Sequence, residues 1–228
     1  DPGSEMLVAN TRAVQSEQRT ISGACGGSAT YLISANSETG AFSGTFTFVN
    51  YCEGATILNG SATFSGTVNT DSYTPVSFTY TFQNLSGTCG GQSIVLDGSM
   101  TMNLTASPLV VTINLVLQEN SKTYKIENYR MEVTEGGTYE EIDLSGRFYH
   151  PDYGYITIST PTAIRIDAGE SYPSDGIILV SGNTGSEGGP TRARMTILPA
   201  GSYQIEADTN GDGTYDHGPV EHQWDENA

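Results

Sequence analysis

The sequence predicts an all-β protein: a curved antiparallel meander, barrel-like or sandwiched, that ends in a C-terminal hairpin with a calcium-type loop. Three observations predict it. Apolar and hydroxyl residues alternate in segments such as Thr45-Phe46-Thr47-Phe48 and Ser77-Phe78-Thr79-Tyr80-Thr81-Phe82, and a period of two places aromatics on one face and hydroxyls on the other. Turn-forming Gly, Pro, Asn and Asp separate these segments at short intervals. No stretch carries the apolar period of an amphipathic helix.

The elements follow in order. Residues 1–22 read as an N-terminal arm whose apolar content is mainly Met6, Leu7, Val8, Ala13 and Val14; such a segment is held only if it joins a sheet, its own or a neighbour's. Residues 23–160 read as the main β domain. Its predicted strands are Ala29–Ala35, Ala41–Asn50, Ala55–Val68, Val76–Leu85, Ser93–Thr105, Leu109–Gln118, Thr123–Thr134 and Tyr139–Tyr149. Shorter strands are expected at Tyr155–Ser159, Ala163–Asp167, Gly176–Val180, Arg192–Leu198 and Tyr203–Ala207, with Pro161 and Pro173 breaking the pattern and Gly182–Gly189 a flexible loop. Residues 161–228 read as a β extension that carries the acidic loop.

A faint internal repeat runs through the first half. Thr45-Phe46-Thr47-Phe48-Val49-Asn50 resembles Thr79-Tyr80-Thr81-Phe82-Gln83-Asn84. Each is followed by a turn and then by Leu58-Asn59-Gly60-Ser61 or Leu96-Asp97-Gly98-Ser99, and Leu144-Ser145-Gly146-Arg147-Phe148 is a third echo. A glycine inside a strand weakens it, so a recurring one marks a bend or bulge that curves the sheet.

Charge restricts the partners. The net charge is −17, with 9 Lys and Arg in 228 residues, which argues against nucleic acid and anionic membrane surfaces. Between Thr20 and Ser121 there is no Lys or Arg, and from Lys122 onward 18 acids face 7 bases. A Ser/Thr/Gly/Asn-rich half with so few charges is typical of extracellular β-proteins. The longest apolar run, Pro108 to Leu117, contains Thr112 and Asn114 and reads as a strand, so no transmembrane helix is expected. The chain carries no signal-peptide pattern and does not begin with Met, and we read it as a mature exported form, extracellular or at the cell surface.

The sharpest chemical signal is Asp208-Thr209-Asn210-Gly211-Asp212-Gly213-Thr214-Tyr215-Asp216. Asp208, Asn210 and Asp212 occupy positions 1, 3 and 5 of an EF-hand-type calcium loop, Gly213 the sharp turn, Thr214 the carbonyl position and Asp216 the position that often binds through water. The twelfth position, a Glu in EF-hands, is Pro219, and the flanks are strand-like. Glu221, Asp225 or Glu206 would have to close the shell. The competing reading is a plain turn, since Asp, Asn and Gly all tolerate left-handed backbone.

Other constellations are weaker. Cys25, Cys52 and Cys89 allow one disulfide and a leftover thiol; a Cys25–Cys52 bridge would join two early strands and stabilise by roughly 3 kcal/mol, with Cys52–Cys89 or three buried thiols as alternatives. The Gly-x-Cys-x-Gly strings around Cys25 and Cys89 lack the strand–helix context of a nucleophile elbow. His217 and His222 have no standard metal spacing. Tyr149, Tyr153 and Tyr155 are the best candidates for a sugar-stacking surface, against the plainer reading of tyrosine as a strand residue.

Several of these motifs share a resemblance. Ala24-Cys25-Gly26-Gly27-Ser28, Asn50-Tyr51-Cys52, Ile57-Leu58-Asn59-Gly60-Ser61, Ile126-Glu127-Asn128-Tyr129, His150-Pro151-Asp152-Tyr153-Gly154-Tyr155 and Glu206-Ala207-Asp208 with its Asn-Gly-Asp-Gly are similar to those of a group of uncharacterised exported bacterial β-proteins, often lipoproteins. The acidic loop likewise resembles the helix-free DxNGDG loops of secreted proteins. The resemblance implies export and a β-fold but no activity. Cys89 lies outside that pattern, which favours the Cys25–Cys52 pair. The function expected is a non-catalytic exported structural or cell-surface protein, a calcium-stabilised subunit of an extracellular assembly that contacts other copies through its N-terminal arm. A carbohydrate-binding module is the alternative and a secreted hydrolase a more distant one.

Overall fold

The computed structural model describes residues 14–89 and 91–224. They form fourteen strands and no helix. The chain divides into two compact units, Asp1–Leu104 and Thr105–Ala228. The first holds β1 (Val14–Ser22), β2 (Gly26–Asn36), β3 (Ala41–Glu53), β4 (Thr56–Val68), β5 (Pro75–Cys89) and β6 (Gln92–Asn103). The second holds β7 (Leu109–Glu119), β8 (Lys122–Glu135), β9 (Tyr139–His150), β10 (Gly154–Asp167), β11 (Asp175–Thr184), β12 (Pro190–Leu198), β13 (Ser202–Asp208) and β14 (His217–Gln223).

Within each unit every strand pairs antiparallel with its neighbour in sequence, so both are meanders. Neither closes into a barrel: among the described residues no pairing joins β1 to β6 or β7 to β14. Residues 14–22, expected within the arm, form β1 and pair with β2 of the same chain from Val14↔Asn36 to Ser22↔Ser28. Residues 6–13 of the expected arm lie outside the described residues. Residue 160 falls inside β10. That strand is continuous through Pro161, because its register against β9 jumps from Ser159↔Ser145 to Ile164↔Ile142 and so absorbs two extra residues.

Register sorts the first unit into two faces. Ser34, Ser43, Ser65, Thr79 and Thr101 lie in one row across β2–β6, and Thr45, Thr63, Thr81 and Ser99 lie in a parallel row of the same face. Cross-strand hydroxyl bonds join Ser16 to Ser34 at 2.7 Å and Thr20 to Thr30 at 2.9 Å, contacts worth about 0.2–1 kcal/mol each. The intervening rows carry the rings. Phe64 lies 6.3 Å from Phe42 and 5.6 Å from Phe46, and Phe78 lies 4.5 Å from Tyr80. Small residues interleave with large ones, since Phe64 lies across Gly44 and Phe42 across Gly66. Among the described residues the buried apolar side chains are Ala29, Ala62 and Ile197; most of the strand rings are half-buried.

The internal repeat proves to be a repeated joint. Against β4, β3 carries one extra residue between Phe48 and Tyr51. Asn50 there takes a positive φ of 47°, and its N–H donates to Asn59 Oδ1 at 2.7 Å. Two strands on, β5 carries one extra residue against β6 between Phe82 and Leu85. Asn84, also at φ 47°, donates its N–H to Asp97 Oδ1 at 2.6 Å. In the second unit Asn128, at φ 51°, donates to Asn114 Oδ1 at 2.7 Å. Each bulge thus places an asparagine in the left-handed region that it tolerates better than other side chains, and a neighbouring Asn or Asp satisfies the displaced N–H.

Cys25 and Cys52 form a disulfide with Cα atoms 5.1 Å apart; it ties the β1–β2 turn to the end of β3. Cys89 ends β5. Reduction, or Cys25→Ser, is expected to lower the unfolding free energy by roughly 3 kcal/mol. Urea denaturation with and without reductant measures it, and an unchanged midpoint would refute a stabilising bridge.

Most of the charge of the second unit lies on one face; Lys122, at the start of β8, has the strand parity of Ile126 and lies on the other. Lys122, Lys125, Arg130, Arg147, Arg165 and Arg194 each pair with a carboxylate. These exposed pairs contribute about 0–1 kcal/mol apiece, so their main effect is to fix which face is wet. Ile126, Phe148 and Ile156 lie in one cross-strand row, as do Ile178, Met195, Ile205 and Val220.

Candidate functional site

The acidic loop connects β13 to β14. Asp208, the last residue of β13, is 1% exposed and stands in register with Arg192 of β12. Its Oδ1 accepts the Gly211 N–H at 2.7 Å and its Oδ2 the Gly213 N–H at 2.9 Å. A single buried carboxylate thus gathers the loop around itself. Such charge-assisted bonds are roughly twice as strong as neutral ones. Gly211 and Gly213 have φ values of 80° and 90°, which is why glycine stands at both.

The remaining oxygens form smaller turns. Asn210 Oδ1 accepts the Asp212 N–H at 3.1 Å, and Asp212 Oδ1 accepts the Thr214 N–H at 2.7 Å. Asn210 Nδ2 donates to Asp212 Oδ2 at 3.3 Å. Asp216 turns back on the start of the loop and accepts the N–H and Oγ1–H of Thr209, each at 3.2 Å. The Thr209 N–H is the main cause holding the Asp216 carboxyl below its ordinary pKa.

A second loop supports the first. The connection between β11 and β12, read from sequence as flexible, is ordered against the acidic loop. Glu187 N–H donates to Asn210 O at 2.8 Å and Gly189 N–H to Gly211 O at 3.0 Å. A side chain at Gly189 would meet that carbonyl at 2.2 Å, so the glycines of 182–189 permit backbone contact. Of the residues considered for closing a cation shell, Glu206 is engaged by Arg194 at 2.9 and 2.5 Å. Glu221 lies on β14 opposite Gln204, and Asp225 lies outside the described residues. Among the described residues, no three His, Cys, Asp or Glu side chains converge on one point.

The tyrosine trio divides. Tyr149 and Tyr155 are direct cross-strand partners with rings 5.6 Å apart at 42°, so they are tilted rather than coplanar. Tyr149 Oη donates to Glu127 Oε2 at 2.9 Å, and Arg147 Cζ lies 4.9 Å from the Tyr155 ring centroid. Lys125 and then Tyr149, through their hydrogen bonds, hold the Glu127 carboxyl below its usual pKa. Tyr153 sits apart on the turn, 79% exposed, with its ring 4.6 Å from His150.

No protein-family model, curated protein or solved structure matches this chain.

A different aromatic group, unmarked by sequence spacing, gathers at the far end of β13 and β14. Tyr203 and His222 are register partners with rings 5.3 Å apart. Trp224 lies 4.6 Å from Tyr203, and Tyr172 stacks on Trp224. Tyr172 is about fifty residues from Trp224 in sequence, and only the loop between β10 and β11 brings them together.

Proposed function

We propose that this is a non-catalytic exported structural or cell-surface protein of bacterial type, a calcium-stabilised subunit of an extracellular assembly. The open edge of the meander carries the reading. β1 pairs only with β2 among the described residues, and all nine of its residues are exposed. A free strand edge offers a row of unpaired N–H and C=O groups to another strand. Because residues 14–22 pair within their own chain, the β1 edge serves as an acceptor in this reading rather than as a donated arm. β14, with one partner of its own, provides a second edge.

Calcium enters through charge. Copies that each carry −17 repel one another, and a divalent cation relieves part of that. The donors fit calcium in kind: carboxylates of Asp208, Asp212 and Asp216, the amide oxygen of Asn210 and the carbonyl of Thr214 are all hard oxygens. The oxygens that already accept an N–H keep a further lone pair. The loop leads directly into β14, so an ion held there would stiffen that edge.

Light scattering on the purified protein, with calcium and then with excess chelator, tests the proposal. Large species that dissociate on chelation are expected. A monomer under both conditions would rule out the assembly.

A further inference from the structure

We propose that the cleft between the β10–β11 connection and the β12–β13 turn binds a neutral saccharide, with Tyr172 as the stacking ring. The cleft has a volume of about 570 Å³ and is lined by Glu170, Tyr172 and Ser174 on one side, Ala200 and Gly201 on the other, and Gln223 of β14. That volume is in the range of small-ligand sites. The inference does not depend on the assembly.

Two observations converge on it. The first is the ring geometry. Tyr172 is 42% exposed, yet its ring lies within 7° of parallel to Trp224, centroids 6.4 Å apart. Trp224 is in turn held by Tyr203, and its backbone N–H donates to Gly201 O at 3.0 Å. Tyr172 is therefore the outermost ring of a supported aromatic group. Such rings offer an apolar face to the C–H side of a pyranose while their polar tips stay wet.

The second observation is the division of labour among the polar groups. Asp167 is fully engaged: Arg165 Nε and Nη2 reach Oδ1 at 2.9 and 2.8 Å, and Ser174 Oγ donates to Oδ2 at 2.6 Å. The bond from Ser174 is the largest cause holding its carboxyl below the ordinary value. These contacts fix the wall of the cleft. The Glu170 carboxylate and the Gln223 amide have no side-chain partner among the described residues. A carboxylate accepts hydroxyl protons and an amide both donates and accepts, which suits the mixed demands of sugar hydroxyls.

Charge and shape narrow the class. Among the described residues no Lys or Arg lines the cleft, and the chain is strongly acidic, so phosphate and carboxylate ligands are disfavoured. A quaternary ammonium would also be drawn to carboxylates and rings, but it is held by crossed aromatic walls, whereas Tyr172 and Trp224 are parallel. A second cleft, about 350 Å³, shares Asp167 and Glu170 with the first, and gives room for a sugar chain rather than a single ring.

Trp224 is the sole tryptophan, so its emission reports on this site directly. We would titrate the full chain with hexasaccharides of β-1,4-linked glucose, N-acetylglucosamine and mannose, and with choline. A saturable change in emission with at least one saccharide is expected. Tyr172→Ala should raise the midpoint at least ~10-fold, Tyr172→Phe should bind nearly as the native chain does, and Tyr149→Ala should leave binding unchanged. Circular dichroism on the exposed-loop variants checks the fold. A response to choline alone, a response that survives Tyr172→Ala, or no response to any of the three saccharides at about 10 mM, where even millimolar complexes saturate, would each overturn the proposal.

Discussion

Gly60→Ala is expected to lower the unfolding free energy by about 2–6 kcal/mol. Gly60 has φ 98°, and a Cβ there would lie 2.0 Å from the carbonyl oxygen of Asn84 and 2.6 Å from its carbon. Two costs therefore add. An L-residue is strained in that backbone region by about 1–3 kcal/mol, and overpacking against a fixed neighbour adds about 1–3 kcal/mol. The neighbour cannot give way, because the Asn84 N–H is bound to Asp97 Oδ1 on its other side. Gly54→Ala is the control. Gly54 also has a positive φ, 59°, but nothing lies within 4 Å of its Cβ position, so only the backbone term applies, about 1 kcal/mol. Urea midpoints at constant slope measure both. Equal losses in the two variants would show that the joint is not sterically closed.

Asp208→Ala should cost about 1–3 kcal/mol, because it leaves the buried Gly211 N–H without its acceptor, while the Gly213 N–H stands at an exposed residue where water replaces the carboxylate. The same substitution should abolish the response to calcium. If the loop holds calcium as proposed, the native chain should gain about 2.7 kcal/mol at a calcium concentration one hundred times the dissociation constant and melt correspondingly higher. Asp208→Ala should gain nothing. Asp212→Asn separates the two effects: it retains an oxygen for the Thr214 N–H and so the turn, yet removes a charge that a cation requires. A loss of no more than about 1 kcal/mol, from the exposed Asn210 Nδ2 bond that the new amide cannot accept, is expected there together with a weakened calcium response. If Asp208→Ala still gains stability from calcium, the ion binds elsewhere.

Most of the meander was legible because its alternation is regular. The strand from Ala41 was read to within three residues of its end, and Leu109–Gln118 to within one. β1 and β14 were not read as strands. Val14–Ser22 has only Val14 and Ile21 as apolar residues, and His217–Gln223 only Val220. An edge strand exposed on both faces needs no alternating pattern, so period-two reading cannot find it. The repeat was legible as glycines in strands, but the role of the asparagine in each bulge was not, since an N–H partner on the neighbouring strand, 9 to 14 residues away, leaves no local trace.

The site followed the same division. The acidic loop could be read as a tight turn because its Asp, Asn and Gly residues alternate within one short stretch. Its supporting loop at 185–189 could not, because the contact is backbone to backbone and carries no side-chain signature. The three tyrosines near residue 150 are close in sequence, but strand alternation sends Tyr149 and Tyr155 to one face while Tyr153 remains on the turn. Tyr172 and Trp224 are remote in sequence and adjacent in space. Proximity along a β-chain is a poor guide to which rings meet, because each step of one residue changes face.

Asn50 meets Asn59-Gly60 as Asn84 meets Asp97-Gly98, and the two meetings are interchangeable. A gene that lost the segment from the β3–β4 turn to the end of β5 would bring Asn50 against Asp97-Gly98 and keep the fit. One that duplicated it would add a hairpin with both flanks already matched. The span of this sheet is therefore inherited as a number of hairpins. Recombination can lengthen or shorten it without designing a new contact, while the disulfide of the first unit and the acidic loop of the second are left unchanged.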